Sequence, residues 1–244
     1  RDVAPSRGLG DVYKRQDSKQ VVVLLTHPNI KESRANKALM DAISDMEEVA
    51  IYNLYEMHVE DAFNAEIWST IISHASALVF QFPFYWMSAP SLLKKWLDEV
   101  FTYLAKTPAV AGKTLMVVTT AGSEHDAYRS GGRNRFTVDE LLRPYQVSAV
   151  HAGMVWQTPL VVYGMGTSEA SKNIAEGINC YKQRIEALVK KDISSDINAV
   201  EEIEAGESGT ELQSSGILSL FRECGWLLPR EIGRNGCLLY TSDA

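Results

Sequence analysis

The chain has 244 residues, 45% hydrophobic and 23% charged, which is enough for one sizeable core and shows no compositional break that asks for a second. A net charge of -7 argues against a nucleic-acid surface, and no apolar run approaches the length of a membrane span. Cys180, Cys224 and Cys237 are odd in number and lack CxxC spacing, so a reducing cytoplasm is expected, with neither a disulfide framework nor a metal site.

Residues 1–16 are expected to be foreign, because 6–16 (SRGLGDVYKRQ) back-translate into a transposase sequencing adapter. At the other end, 237–244 (CLLYTSDA) back-translate into the reverse complement of the matching adapter, so both segments are set aside. The domain proper is expected over 17–191. Residues 20–26 (QVVVLLT) form a continuous β-branched and leucine run, the pattern of a central parallel strand. Ser33 can cap a helix in which Leu39, Ala42, Ile43 and Met46 share a face, and 49–54 (VAIYNL) resumes strand character.

A helical stretch over 65–74 precedes a third strand at 77–82 (ALVFQF). Pro83 then turns the chain into Phe84, Tyr85, Trp86 and Met87, a loop too short to bury all four. Pro90 suits the first turn of the next helix, with Ser88 or Ala89 as cap. Leu92, Leu93, Trp96, Leu97, Val100 and Phe101 recur there at helical spacing, opposite Lys94, Lys95, Asp98 and Glu99. Gly112 marks a turn before the fourth strand, 114–120 (TLMVVTT). Residues 139–151 read as helix interrupted at Pro144, 155–162 as the fifth strand, and 168–190 as a helix with Ile174, Ile178, Tyr181, Ile185 and Leu188 on one face. Residues 192–236 join an acidic tail to a C-terminal segment that reads as candidate read-through.

This alternation implies an α/β fold, a flavodoxin-like doubly wound five-stranded parallel sheet of order 2-1-3-4-5. Ligands of such sheets bind beyond the carboxyl ends of the strands, so the loops after strands one, three and four are the candidate site. The first, THPNIKESRAN (26–36), supplies Thr26, His27, Ser33 and Asn36 at a helix start, where N–H groups and the helix dipole attract a phosphate. Neither GxxxxGK[ST] nor GxGxxG occurs, and taken alone this loop also reads as ordinary capping by Ser33 beside a satisfied His27. The aromatic loop offers the apolar face that an isoalloxazine needs, or else plain core and dimer-interface rings. The loop TTAGSEHDAYRSGGRNRF (119–136) places small residues directly after a strand, letting backbone N–H groups approach a ring edge.

Together HPNIKESRAN, QFPFYWMSAPSLLKKWLDEVF, TTAGSEHDAYRSGGRNRFTVDELLRPYQ and YKQRIEAL resemble the flavodoxin-like NAD(P)H:quinone oxidoreductase family. Within it the resemblance is closest to the flavoprotein ancillary subunits of glutathione-regulated potassium efflux systems. It implies an FMN cofactor, with FAD as the alternative, a homodimer, and two-electron hydride transfer from NAD(P)H to a quinone-like acceptor by ping-pong kinetics. Residue by residue, it implies that His27, Ser33 and Asn36 hold the flavin phosphate, and that Pro83, Phe84, Tyr85, Trp86 and Met87 surround the isoalloxazine with Trp86 against the ring. Thr119, Thr120, Ala121 and Gly122 would border the pyrimidine edge, with Tyr128 and Arg133 as the catalytic candidates beside it.

Two departures stand out. Ala121 occupies a place where that pattern often has Gly, which is expected to narrow the backbone approach. A histidine that accompanies the tyrosine has no clear counterpart; Arg133 or Asn134 lies near its place and His125 falls too early. The resemblance also supports a different class of function, a regulatory ancillary subunit binding a cytoplasmic domain of a potassium efflux transporter. The location would be cytoplasmic, peripheral at the inner face of the membrane where such a partner is engaged. A one-electron flavodoxin carrier is a third reading, which the loop at 119–136 disfavours.

Overall fold

The computed structural model describes residues 21–58 and 62–190, so the readings of 1–16, 192–236 and 237–244 lie outside the described residues. Strand β1 (Val21–Leu25) is buried along its whole length, as its unbroken apolar run requires. It pairs in parallel with β2 (Val49–Asn53) and β3 (Ala77–Pro83), and β3 pairs with β4 (Thr114–Thr120). The order is β2-β1-β3-β4-β5, all parallel, matching the order read from the alternation.

The fifth apolar run is not one strand. It divides into β5 (Val155–Trp156) and β6 (Leu160–Val162), both paired with β4. Pro159 lies in the break and has no N–H to give a ladder. Leu54 leaves β2 to open α2 (Leu54–Met57), because the Asn53 side chain accepts the Tyr55 N–H and starts a helix there. Met46 falls beyond the end of α1 (Ala35–Ile43).

Helix α3 (Ala65–Ser73) precedes β3, and α4 (Ser91–Trp96) follows it, running through a π-helical turn at Leu97–Phe101 into α5 (Thr102–Leu104). Pro90 is itself the extended residue before α4, and no side chain caps that helix. Ser88 Oγ and the Ala89 N–H instead meet the Tyr145 hydroxyl at 3.1 and 3.2 Å. The helical segment after β4 breaks at Leu142 between α6 (Val138–Leu141) and α7 (Arg143–His151), with Pro144 in the first turn of α7 where a missing N–H costs nothing.

Two cores flank the sheet. On one face Val22, Leu24, Phe80, Phe82 and Val117 pack with Trp68, Leu93, Trp96 and Tyr145 of α3, α4 and α7. Trp96 meets Trp68 and Phe80 edge-on, with ring centroids 5.5 and 5.9 Å away. On the other face Val21, Val23, Val79 and Val118 pack with Leu39 and Ile43 of α1 and with Tyr181, Ile185 and Leu188 of α8 (Ala170–Lys190). Gly177 lets α8 come this close, since a Cβ there would lie 2.7 Å from Val162 Cγ2. Helices on both faces leave the carboxyl ends of β1, β3 and β4 to carry the loops.

Candidate active site

At the end of β1 the Thr26 N–H donates to the Gln81 carbonyl at 2.8 Å, and the side chain of Thr26 is fully buried. His27 is also buried, and its Nδ1 accepts the Asn29 N–H at 3.1 Å. Burial holds the imidazole below its ordinary pKa, so the ring is neutral at pH 7 and carries its proton on Nε2. Ser33 Oγ accepts the Asn36 N–H at 3.1 Å and satisfies the first turn of α1, as its capping role requires. Asn36 then reaches across the sheet ends, its Nδ2 donating to Thr120 Oγ1 at 2.9 Å.

The aromatic loop is a two-residue reversal. Tyr85 and Ser88 exchange both backbone hydrogen bonds, at 2.9 and 3.0 Å, around Trp86 and Met87. Those two residues have φ of 46° and 64°, left-handed values that such turns usually assign to Asn and Gly. Left-handed backbone costs a side-chain-bearing residue about 1–2 kcal/mol, so this turn carries strain. Phe84 points inward and packs edge-on against Tyr128 at 6.0 Å, while Tyr85, Trp86 and Met87 are 46, 96 and 43% exposed. One ring of the loop serves the core, and three side chains do not.

After β4 the chain is strapped from the far side. The carbonyls of Ala121, Gly122 and Ser123 accept the N–H groups of Met165, Gly166 and Gly164 at 3.0, 2.9 and 2.8 Å. The Ala121 N–H donates to the Val162 carbonyl, so it is already committed within the protein. Ala121 is also wholly buried in the core. Gly122 is the open point of the segment, where an added Cβ would meet nothing within 4 Å. Arg133 folds back to donate to Ser123 Oγ at 2.5 Å, and the Phe84 N–H donates to the Thr120 carbonyl at 2.9 Å.

Tyr128 is nearly buried, its ring between Phe84 and Tyr163, the latter at 5.8 Å. The Tyr163 hydroxyl is pushed up to about 12, first by burial and then by Asp139 and Tyr128, so it stays protonated. His125 packs against Tyr163 at 5.1 Å and so joins the aromatic file through that ring. Tyr163 carries no sequence signal of its own; only the strap brings it here. Gln81 does carry one, a lone polar residue in the apolar strand ALVFQFP.

The contacts Ser33–Asn36–Thr120–Phe84–Tyr128 run unbroken through all three loops. His27 lies in the same β1 loop as Ser33, and Arg133 reaches the segment after β4. Trp86 stands clear of the rest of the chain. A sequence profile of the Flavodoxin_2 family, described as a flavodoxin-like fold, matches residues 19–185. The chain belongs to the Flavodoxin_2 family.

This Flavodoxin_2 chain is 36% identical over 173 residues to an uncharacterized NAD(P)H oxidoreductase, YdeQ, of Bacillus subtilis (strain 168), covering 69% of this chain and 87% of that one. It is 34% identical over 148 residues to the glutathione-regulated potassium-efflux system ancillary protein KefG of Serratia proteamaculans (strain 568), covering 59% of this chain and 81% of KefG. Among solved structures it is similar to general stress protein 14 of Treponema denticola in complex with FMN, with a TM-score of 0.64 and 30% identity over 69% of this chain and 99% of that one. It is also similar to an NADPH-quinone reductase from P. pentosaceus, with a TM-score of 0.60 and 27% identity over 68% of this chain and 96% of that one.

Proposed function

We propose that this protein is an FMN-dependent NAD(P)H:quinone oxidoreductase, with residues 17–191 as the catalytic domain. The observation that carries the reading is the contact chain Ser33–Asn36–Thr120–Phe84–Tyr128, which links the three loops at the carboxyl ends of β1, β3 and β4. The likeness to an FMN-bound stress protein and to an NADPH-quinone reductase supports it.

The residues present fit the cofactor. Thr26 Oγ1, Asn36 Oδ1 and Thr119 Oγ1 are buried without a partner in the protein, which in a native crevice asks for a polar ligand. Bound FMN supplies two-electron exchange between a reduced nicotinamide and an acceptor. The N-terminus of α1, with His27, Ser33 and Asn36, would hold the phosphate through N–H donors and the helix dipole. Since His27 is neutral, it would contribute a hydrogen bond from Nε2 and no charge. Pro83, Phe84, Tyr85, Trp86 and Met87 would wall the ring and keep water from one side.

At the other edge the Gly122 backbone, the Tyr128 hydroxyl and the Arg133 guanidinium would present donors where negative charge accumulates, the placement that most favours a transition state. Thr119, Thr120 and Ala121 would line that edge, with the Ala121 N–H given to the Val162 carbonyl. A nicotinamide and a planar quinone would occupy one exposed face in turn, which gives ping-pong kinetics. The exposed Tyr85, Trp86 and Met87 support a homodimer in which this apolar surface is covered. Chromatography of the flavin released from purified protein tests the cofactor, with FMN expected; FAD would move the assignment to the alternative, and absence of any flavin would remove it.

The likeness to KefG favours a second reading, in which the protein docks on a cytoplasmic domain of a potassium efflux transporter and is cytoplasmic and peripheral at the inner face of the membrane. No helix among the described residues is long and apolar enough to cross a membrane. Calorimetric titration against such a purified domain tests it, with saturable binding expected if the reading holds.

A further inference from the structure

Gln81 is completely buried on the face of β3 covered by α1 and α8. A leucine of similar volume would pack there with no polar group to satisfy, so an amide in that place calls for a reason. Each of its polar groups is matched. Its Nε2 donates to the Asn36 carbonyl at 2.9 Å, its Oε1 accepts the Tyr181 hydroxyl at 3.2 Å, and its own carbonyl accepts the Thr26 N–H at 2.8 Å. The Asn36 carbonyl can only accept, which fixes the orientation of the amide. Tyr181 is wholly buried, and burial raises its pKa far above the ordinary value, so it remains a donor. Asn36 is thus held from the α8 side through Gln81 and from the β4 side through Thr120, with Oδ1 left without a protein partner.

We propose that Gln81, backed by Tyr181, is a positioning residue that locks the first turn of α1 onto β3 and thereby sets the seat of the flavin phosphate. The inference rests on the flavin reading above. Gln81 grips the backbone of Asn36, so what it fixes is the helix turn itself and the direction of its N–H groups. Those groups would serve the phosphate and not the ring, so loss of the grip should be felt by FMN and not by riboflavin, which lacks the phosphate.

The test measures Kd for FMN and for riboflavin by flavin fluorescence quenching in wild type, Gln81→Met and Tyr181→Phe, alongside thermal melts. The preference for FMN over riboflavin is expected to fall about tenfold in Gln81→Met and about two- to threefold in Tyr181→Phe, with riboflavin affinity held within about twofold. A purely structural role would lower the melting temperature and weaken both flavins alike. That result, or an unchanged preference, in Gln81→Met overturns the inference, and Tyr181→Phe decides it should Gln81→Met not fold. A wild type that binds neither flavin overturns the flavin reading and this inference with it. Preserved FMN preference in both variants overturns this inference alone.

Discussion

The β1–α1 end of the candidate site and its Tyr85–Ser88 turn are built by opposite means. At the β1–α1 end, His27, Asn36 and Thr120 are buried, with His27 Nδ1 accepting the Asn29 N–H and Asn36 Nδ2 donating to Thr120 Oγ1. At the Tyr85–Ser88 turn, two bulky residues sit on left-handed backbone and three apolar side chains face outward. The first end is stabilised by internal bonding, whereas the second keeps backbone strain and exposed apolar surface. Stability and function should therefore fall together at one end and separate at the other.

Substitution at the edge donor should give the largest effect. Tyr128→Phe is expected to slow flavin reduction by about 10- to 100-fold while leaving FMN affinity nearly intact, because such a bond strengthens as charge develops. Stopped-flow absorbance reads the reductive step directly, and an unchanged rate would assign the donation to the backbone at Gly122. At the bonded end, Asn36→Ala should weaken FMN binding by about tenfold and also destabilise the apo protein by about 1–3 kcal/mol, since Thr120 Oγ1 loses its donor while Gln81 keeps the backbone carbonyl of residue 36. Titration and melting of the same samples would show whether the two losses travel together.

At the strained end the signs should oppose. Replacing Trp86 by Asn and Met87 by Gly gives the turn the residues its backbone favours and is expected to stabilise the protein by about 1 kcal/mol while lowering turnover. A destabilised double variant would show that these side chains pack natively within the chain. The smallest effect concerns pH. Burial lowers the His27 pKa from 6.5, so the folded apo protein binds fewer protons than the unfolded chain, and stability is full above that value and falls as pH drops through it. Melts across pH 5 to 8, a range spanning about 1.5 units on either side of the free value, should show this loss in wild type and not in His27→Gln.

Much of this was legible in the sequence because the signals are continuous. The runs at 20–26, 77–82 and 114–120 announce buried parallel strands, and the topology rule then places the three loops at one end. The break at Pro159 is masked by the apolar residues that flank it, although a proline inside a strand pattern is itself a warning. The left-handed turn at Trp86 and Met87 gives no warning at all, since it lacks Gly or Asn. The Ala121 side chain is committed to the core, which spacing alone does not reveal. The bond from Tyr181 to Gln81 spans 100 residues and exists only through the packing of α8 on the sheet. Local pattern reports where chain segments go, and the polar bonds between them appear when they arrive.

On the proposed reading, these three loops form a flavin site that passes two electrons from a nicotinamide to a quinone. Anaerobic titration of the FMN-loaded protein with NADPH and then NADH, followed by the visible flavin absorbance, tests it most directly. The band is expected to bleach at one equivalent of reductant per flavin and to return in full on addition of one equivalent of a quinone. A folded protein that takes up no FMN, or whose bound flavin stays oxidised with excess of both nucleotides, would contradict it.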